Sequence, residues 1–274
     1  MSTGFHGHTI LTNQYSAGIL SGILTTAEDR DYNVTLFTRA WESRETCESW
    51  LRETPIDGII MIAPSIHTDM IGAVLDSGIP VINISADALA TGIPSVDVDN
   101  DSGAMLATEH LIALGHTRIA HFAGTTSQTS AFTRRDAFYR YMLSRGLDVP
   151  DAYVVETGYF SEPAFEHAKR LLSQENRPTA FFAANDVIAT GILEGVRAAG
   201  LRVPEDVSVV GYDDSRLAVD SNPPLTSVRQ PLEEMGRLAV TLLMQRIEGQ
   251  TVDLKTHLLP AELIIRKSTS PPLI

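Results

Sequence analysis

Two neighbouring carboxylates, Asp213 and Asp214, come just after the apolar run at 207–211. Such a run predicts a buried β-strand, and the carboxyl ends of strands are where open α/β sheets bind ligands. A carboxylate pair could serve as general acid and general base. No His or Glu stands next to the pair to complete a hydrolytic set. We therefore favour the alternative, in which one carboxylate accepts hydrogen bonds from a ligand and the other is a structural cap.

A second polar pair, Asn185-Asp186, follows another apolar run and precedes a predicted helix. Asn185 could cap that helix, or it could cap the helix and also contact a ligand. We favour the double role, because the pair again stands at the end of a predicted strand. No Gly-x-Gly-x-x-Gly sequence and no Gly-Lys-Ser/Thr loop occurs. We therefore expect no nucleotide cofactor and, more generally, no cofactor.

Two histidines near the start, His6 and His8, alternate along the chain and could face the same side of a strand. That spacing invites a metal site. Two histidines without a third ligand make a poor zinc site, so we expect no metal.

The composition limits the classes of protein that this chain can be. Its 274 residues are 43% hydrophobic, and its net charge of −13 argues against the chain alone binding a phosphate backbone. The single Cys47 excludes an intramolecular disulfide. No apolar run approaches the roughly 20 residues that a membrane helix needs, and no signal-peptide pattern is present. We expect a cytoplasmic protein with no membrane partner, or a chain trimmed at its front.

Short apolar runs alternate with amphipathic helical patterns, which predicts an α/β fold with parallel sheets covered by helices. The expected strands lie at 34–37, 57–63, 79–84, 95–98, 118–123, 153–155, 179–183, 207–210, 257–259 and 263–265. The polar stretch Thr125–Ser130 interrupts this alternation. We expect it to be the first of three crossings between two lobes, one formed by 1–124 plus 231–259 and the other by 125–230 plus 260–274.

The ordered series of motifs resembles the LacI/GalR family of bacterial transcriptional repressors. These motifs are Asp99-Asn-Asp-Ser-Gly103, the segment 110–119, Phe181-Phe-Ala-Ala-Asn-Asp186, the segment 204–231 and Leu259-Pro-Ala-Glu-Leu-Ile-Ile-Arg266. The resemblance extends from about Asn13 to Arg266. It implies two Rossmann-like lobes joined by three crossovers, as in periplasmic binding proteins. A ligand would be enclosed in the clam-shell cleft between the lobes.

The resemblance also assigns a ligand-binding set to this sequence: Asn13, Tyr15, Ser85, Arg134, Phe160, Asn185, Asp213 and Gln230. Carboxylate, guanidinium, amide and aromatic groups together suit a sugar, which offers hydroxyls and an apolar C–H face. Two choices stay open, since Arg135 could replace Arg134 and Tyr159 could replace Phe160. Ser85 stands where the family has an acidic residue.

The resemblance implies the effector-binding and dimerisation core of a regulator without its helix-turn-helix domain, which would contact operator DNA. We expect a homodimer, with a candidate surface around 66–74, and a small-molecule effector that is a sugar. The alternative is a sugar-binding protein of an ABC-type transporter, which shares the fold. We do not expect an enzyme, because the sequence shows no activated nucleophile or acid/base pair.

Overall fold

The computed structural model describes residues 13–37, 43–64, 69–125 and 127–273. The helices are α1 (Gln14–Glu28), α2 (Arg44–Glu53), α3 (Asp69–Asp76), α4 (Ala88–Thr91), α5 (Asn100–Ala113), α6 (Thr129–Ser144), α7 (Ser161–Leu172), α8 (Asp186–Ala198), α9 (Arg216–Asp220) and α10 (Leu232–Ile247). A short 3₁₀ helix covers Asp151–Tyr153. None of the helices in the described ranges has the length and hydropathy of a membrane span.

The strands are β1 (Ile59–Ile62), β2 (Val81–Ile84), β3 (Ser95–Val98), β4 (Ile119–Ala123), β5 (Val154–Glu156), β6 (Ala180–Ala183), β7 (Ser208–Asp213), β8 (Thr226–Arg229), β9 (Thr256–Leu259) and β10 (Glu262–Ile264). They form two separate sheets, as the alternation of strands and helices predicts. The expected α/β class with parallel sheets is therefore confirmed.

Unit 1 contains the described residues of Met1–Val98, Ser127–Thr129 and Pro231–Leu259. The four strands in its described part are all parallel, in the order β1-β2-β3-β9. Strand β2 is buried throughout, which explains why its sequence, Val-Ile-Asn-Ile, is nearly continuously apolar. Helices α1 and α10 pack closely against each other at Gly22 and Gly236, where backbone from the opposite helix leaves no room for a Cβ.

Unit 2 contains the described residues of Asp99–Thr126, Ser130–Gln230 and Pro260–Ile274. Its six strands have the order β10-β8-β7-β6-β4-β5, and only β10 is antiparallel to its neighbour. The central strands β4, β6 and β7 are almost wholly buried, and apolar side chains of α7 and α8 pack on them.

The first unit boundary lies after Val98, so the expected boundary after residue 124 is wrong. Strand β4 precedes residue 124, yet it pairs with β5 and β6 in the sheet of unit 2. Sequence composition points to the polar stretch after β4, whereas the pairing of β4 decides the boundary. The chain also changes unit on either side of Ser127–Thr129, which belongs to unit 1, and then after Gln230 and after Leu259. The last two positions are the same as in the prediction.

Two further expectations differ from the structure. No strand pairing is recorded for 34–37 within the described ranges. Of the expected dimer surface at 66–74, Ile66 lies outside the described residues. Met70, Ile71 and Val74 are buried in the core of unit 1. The apolar side chains of α3 therefore serve packing within the unit, and only Leu75 of this helix is a large exposed apolar residue, at 43%.

Candidate functional site

Three predicted ligand-binding residues of unit 2 lie at the carboxyl ends of neighbouring parallel strands. Asn185 follows β6, Asp213 ends β7 and Gln230 follows β8. The three strands are adjacent in the sheet, so their carboxyl ends share one edge. Arg134 comes to the same region from α6, where it donates to the carbonyl oxygen of Ala184 over 2.6 Å. Sheet topology therefore brings together residues that are up to 96 positions apart in the sequence.

Arg134 is the inward member of the Arg134-Arg135 pair. It is 4% exposed, and its Nε donates to Asn100 Oδ1 over 2.8 Å. Its guanidinium lies 3.5 Å from the ring centroid of Tyr212, a cation–π distance. Arg135 is less buried and stands 5.5 Å from the centroid of Phe132. The planar group of Arg134 is thus fixed by three different partners.

The side chain of Asp213 is held by Gln230, whose Nε2 donates to Asp213 Oδ1 over 2.6 Å. Burial raises the pKa of Asp213 to about 6, although the positive charge of Arg134 and the bond from Gln230 act in the opposite direction. Asp213 offers acceptor oxygens, and Gln230 offers both a donor and an acceptor. Together with Arg134 they can bind a group that bears vicinal hydroxyls.

Of the two neighbouring carboxylates, Asp214 has the structural role. Arg229 Nε donates to its Oδ2 over 2.8 Å, and Arg266 forms an ion pair with its Oδ1 at 2.6 Å. Its side chain is 4% exposed. Both oxygens of Asp214 are therefore engaged by arginines, so it does not form a catalytic pair with Asp213.

Asn185 caps α8, because its Oδ1 accepts from the amide of Ile188 over 2.8 Å. The capping function is thus present, and the ligand contact expected for the same residue stays a prediction. Phe160 precedes α7 and is 66% exposed, which suits a stacking surface. Tyr159 is the alternative stacking residue, but its ring packs against Gly124 so closely that a Cβ on Gly124 would not fit. That packing favours Phe160 as the aromatic available to a ligand.

The predicted residues of unit 1 form a connected polar group. Asn13 caps α1 by accepting from the amide of Tyr15 over 3.0 Å. Tyr15 Oη and Ser85 Oγ are 2.5 Å apart, and Ser85 Oγ donates to Asp97 Oδ1 over 3.0 Å. Ser85 follows β2 with a φ of +57°. Asn13 and Tyr15 stand at the start of α1, and Ser85 and Asp97 lie towards the carboxyl ends of β2 and β3.

The hydroxyls of Tyr15 and Ser85 can each donate and accept a hydrogen bond. Either hydroxyl can be the donor in the contact between them. Groups of this kind suit a ligand that itself bears hydroxyls.

Three partners of the predicted residues were missed by sequence reasoning: Asp97 in unit 1, and Asn100 and Tyr212 in unit 2. Asn100 stands beside Asp99, which caps α5 by accepting from the amide of Ser102, and its Oδ1 accepts from Arg134. Asp97 gave a usable signal, because it is an acidic residue inside the buried strand β3, Ser95–Val98. Tyr212 gave none, since an aromatic in a buried strand is typical of any core.

No group of three or more His, Cys, Asp or Glu within the described ranges could hold a metal ion. His6 and His8 lie outside the described residues.

Comparison with known proteins identifies relatives of this chain in sequence and in fold. A family model described as a periplasmic binding protein-like domain matches residues 108–269. The chain is 33% identical over 267 residues to the HTH-type transcriptional regulator CelR of Thermobifida fusca, covering 94% of this chain and 77% of the relative. It is 33% identical over 215 residues to catabolite control protein A of Priestia megaterium, covering 78% and 65%. The chain thus spans about two thirds of the length of that second relative.

Two solved structures carry a sugar. The complex of the regulator CelR with cellobiose superimposes with a TM-score of 0.88 at 31% identity, covering 96% of this chain and 82% of that one. A LacI family regulator from Enterococcus faecium with bound ribose superimposes with a TM-score of 0.81 at 26% identity, covering 95% and 96%.

Proposed function

Because the chain belongs to the LacI family of transcriptional regulators, we propose that it is the effector-binding and dimerisation core of such a regulator. Its effector is a sugar or a sugar derivative. The observation that supports this most directly is that Asn185, Asp213 and Gln230 stand at adjacent strand ends of unit 2. Arg134 reaches the same region from helix α6.

The chemistry of the two residue sets matches a polyhydroxylated ligand. In unit 2, Arg134 supplies a planar donor, while Asp213 supplies an acceptor in the same region. The exposed ring of Phe160 can cover an apolar C–H face. In unit 1, Tyr15 and Ser85 supply hydroxyls, which can both donate and accept. Sugars bound to CelR and to the Enterococcus faecium regulator support the same ligand class for this chain.

Regulation follows from differential binding. The effector binds one conformation of the core more tightly than the other and shifts the population between them. A homodimer transmits that shift to operator DNA through a helix-turn-helix domain, and the whole acts in the cytoplasm. The relatives reported above are regulators, which favours this role over sugar transport. The pairing of Asp214 with two arginines favours binding over catalysis.

A thermal-shift screen of this chain against monosaccharides, disaccharides and purines tests the proposal, with cellobiose and ribose as the first probes. A ligand that binds only the folded state raises the melting temperature by mass action. We expect a shift that is lost in Asp213→Ala and Arg134→Ala. It should be kept in Arg135→Ala, at a partly buried position, and in Asp220→Ala, at an exposed one. A panel without any shift on well-folded protein would contradict the sugar assignment.

The homodimer is tested by sedimentation velocity at micromolar concentration with and without the ligand. A monomer at all concentrations would contradict the dimer.

A further inference from the structure

Asp186, the first residue of α8, is a buried carboxylate with an unusually complete set of donors. It is 1% exposed. Its Oδ2 accepts from the backbone amide of Ser215 over 2.7 Å and from Ser215 Oγ over 2.8 Å. Its Oδ1 accepts from Ser227 Oγ over 2.6 Å. All these donors come from outside the helix to which Asp186 belongs.

The donors belong to the turn that follows Asp213 or to its immediate support. Ser215 stands two residues after Asp213, and the amide of Asp214 donates to Ser227 Oγ over 3.1 Å. The backbone of both residues after Asp213 is therefore tied to Asp186, one directly and one through Ser227.

The turn needs such support, because its backbone is strained. Asp213 and Asp214 have φ angles of +105° and +52°, conformations that residues with a side chain rarely adopt. Strained backbone at a ligand site persists only where surrounding contacts over-determine it. Gly211 belongs to the same arrangement, since a Cβ at that position would lie 2.3 Å from Asp186 Oδ1. The absence of a side chain at Gly211 thus lets Asp186 reach the turn.

We propose that Asp186 is a positioning residue of the ligand site, which holds the turn 213–215 so that the carboxylate of Asp213 is presented to the effector. This inference rests on the proposed function for its consequence in binding. The geometry of the turn itself can be measured without a ligand.

Charge couples the two carboxyl groups. Burial and the nearby negative charge of Asp213 raise the pKa of Asp186 to about 7. Three arginines act on the carboxylates of the turn. The positive charge of Arg134 lowers the pKa of Asp213, and Arg229 and Arg266 form ion pairs with Asp214. Two interacting carboxyls lose their protons in two steps. Only the ionised form of Asp186 offers an acceptor to all three donors, which are the amide and hydroxyl of Ser215 and the hydroxyl of Ser227. Ionisation of Asp186 should therefore stabilise the backbone conformation that positions Asp213.

The first experiment measures amide hydrogen exchange in the unliganded protein. Asp186→Asn replaces one acceptor oxygen by a donor, and Ser227→Ala removes the support of the Asp214 amide. We expect Asp186→Asn to speed exchange at Ser215 at least about tenfold, and Ser227→Ala to do so at Asp214. The matched control is Asp101→Asn, which alters an exposed first-turn aspartate of α5. Unchanged exchange at Ser215 in folded Asp186→Asn would overturn the proposal whether or not a ligand is known.

The second experiment measures the affinity for cellobiose and for ribose between pH 5 and 8.5. For the probe that binds, we expect the affinity of the unmodified protein to rise through about pH 6 and again through about pH 7. Asp186→Asn should keep only the first rise and bind about tenfold more weakly at pH 8. A variant that is weaker by the same factor at every pH would show a merely structural role and would contradict the positioning role. If neither sugar binds, the other sugars of the thermal-shift panel serve as probes. If none of them binds, the proposed ligand class fails, and the exchange experiment alone decides the role of Asp186.

Discussion

The ring of Tyr212 lies directly against the backbone at Gly103, where an added Cβ would be 2.3 Å from Tyr212 Oη. Gly103 belongs to helix α5, and Tyr212 belongs to strand β7. The same ring carries the guanidinium of Arg134 on its face. A glycine that is 31 positions away in the sequence therefore determines where the guanidinium of Arg134 can lie.

Gly103→Ala should destabilise the protein, because the phenol of Tyr212 must move and cannot do so freely in a fully buried site. We expect a loss of about 1–3 kcal/mol in the free energy of unfolding, measured by urea denaturation. Gly72→Ala is the control, since only the mobile guanidinium of Arg44 lies near its site. Equal stability of the two variants would refute the close contact.

Arg134→Lys should weaken ligand binding about tenfold or more, even though the charge is kept. A lysine cannot reproduce the fork that donates to both Asn100 and the Ala184 carbonyl, and it stacks less well on Tyr212. Isothermal titration calorimetry with the sugar found in the screen measures the change. The neighbouring Arg135→Lys is the matched control and should bind normally. A similar loss in both variants would argue against the inward assignment of Arg134.

The affinity for a neutral sugar should fall as the pH is lowered from 7 to 5. Asp213 has a pKa raised to about 6, so its carboxylate, the better acceptor, disappears over this range. Asp213→Asn should bind more weakly and lose the step near pH 6. Calorimetry at several pH values checks this, and an unchanged profile in the variant would assign the step to another group.

The raised pKa of Asp213 affects the stability of the fold in the opposite direction from the affinity for the sugar. The folded protein holds the proton of Asp213 more tightly than the unfolded chain does between about pH 4 and 6, so the contribution of this group to stability decreases as the pH rises through that range. Asp213→Asn should remove this part of the dependence.

His121 should make the protein sensitive to acid. It is fully buried in β4, its Nδ1 donates to the carbonyl of Phe182 over 3.0 Å, and its ring stacks on Phe182 at 4.7 Å. Burial lowers its pKa from 6.5 to about 3. Because the unfolded chain binds the proton more readily, the stability present above pH 6.5 is lost as the pH falls towards 3.

Urea denaturation at pH 7, 6, 5 and 4 measures that loss. His121→Gln should be less stable at pH 7, and its stability should decline less with acid, by up to about 1.4 kcal/mol per pH unit. His257→Gln, at a partly exposed position of unit 1, is the control. Parallel declines in the two variants would exclude His121 as the source.

The sequence by itself determined the local features. Periodicity predicted the alternation of strands and helices, and a small polar residue marked the cap at Asn185, because a cap depends only on its own next three residues. The motif at 204–231 indicated the family and pointed to Asp213 and Gln230, which the structure joins by a hydrogen bond.

Only the tertiary structure decided which elements share a sheet and what the polar residues touch. The sequence of strand β4 does not indicate which sheet the strand joins. Because β4 pairs with β6, it belongs to unit 2, and the first unit boundary lies after Val98 and not after residue 124. The link from Asp186 to Ser227 spans 41 positions, and that from Arg134 to Ala184 spans 50. Such contacts depend on the order of the strands, which is a property of the packed sheet and leaves no periodic trace along the chain.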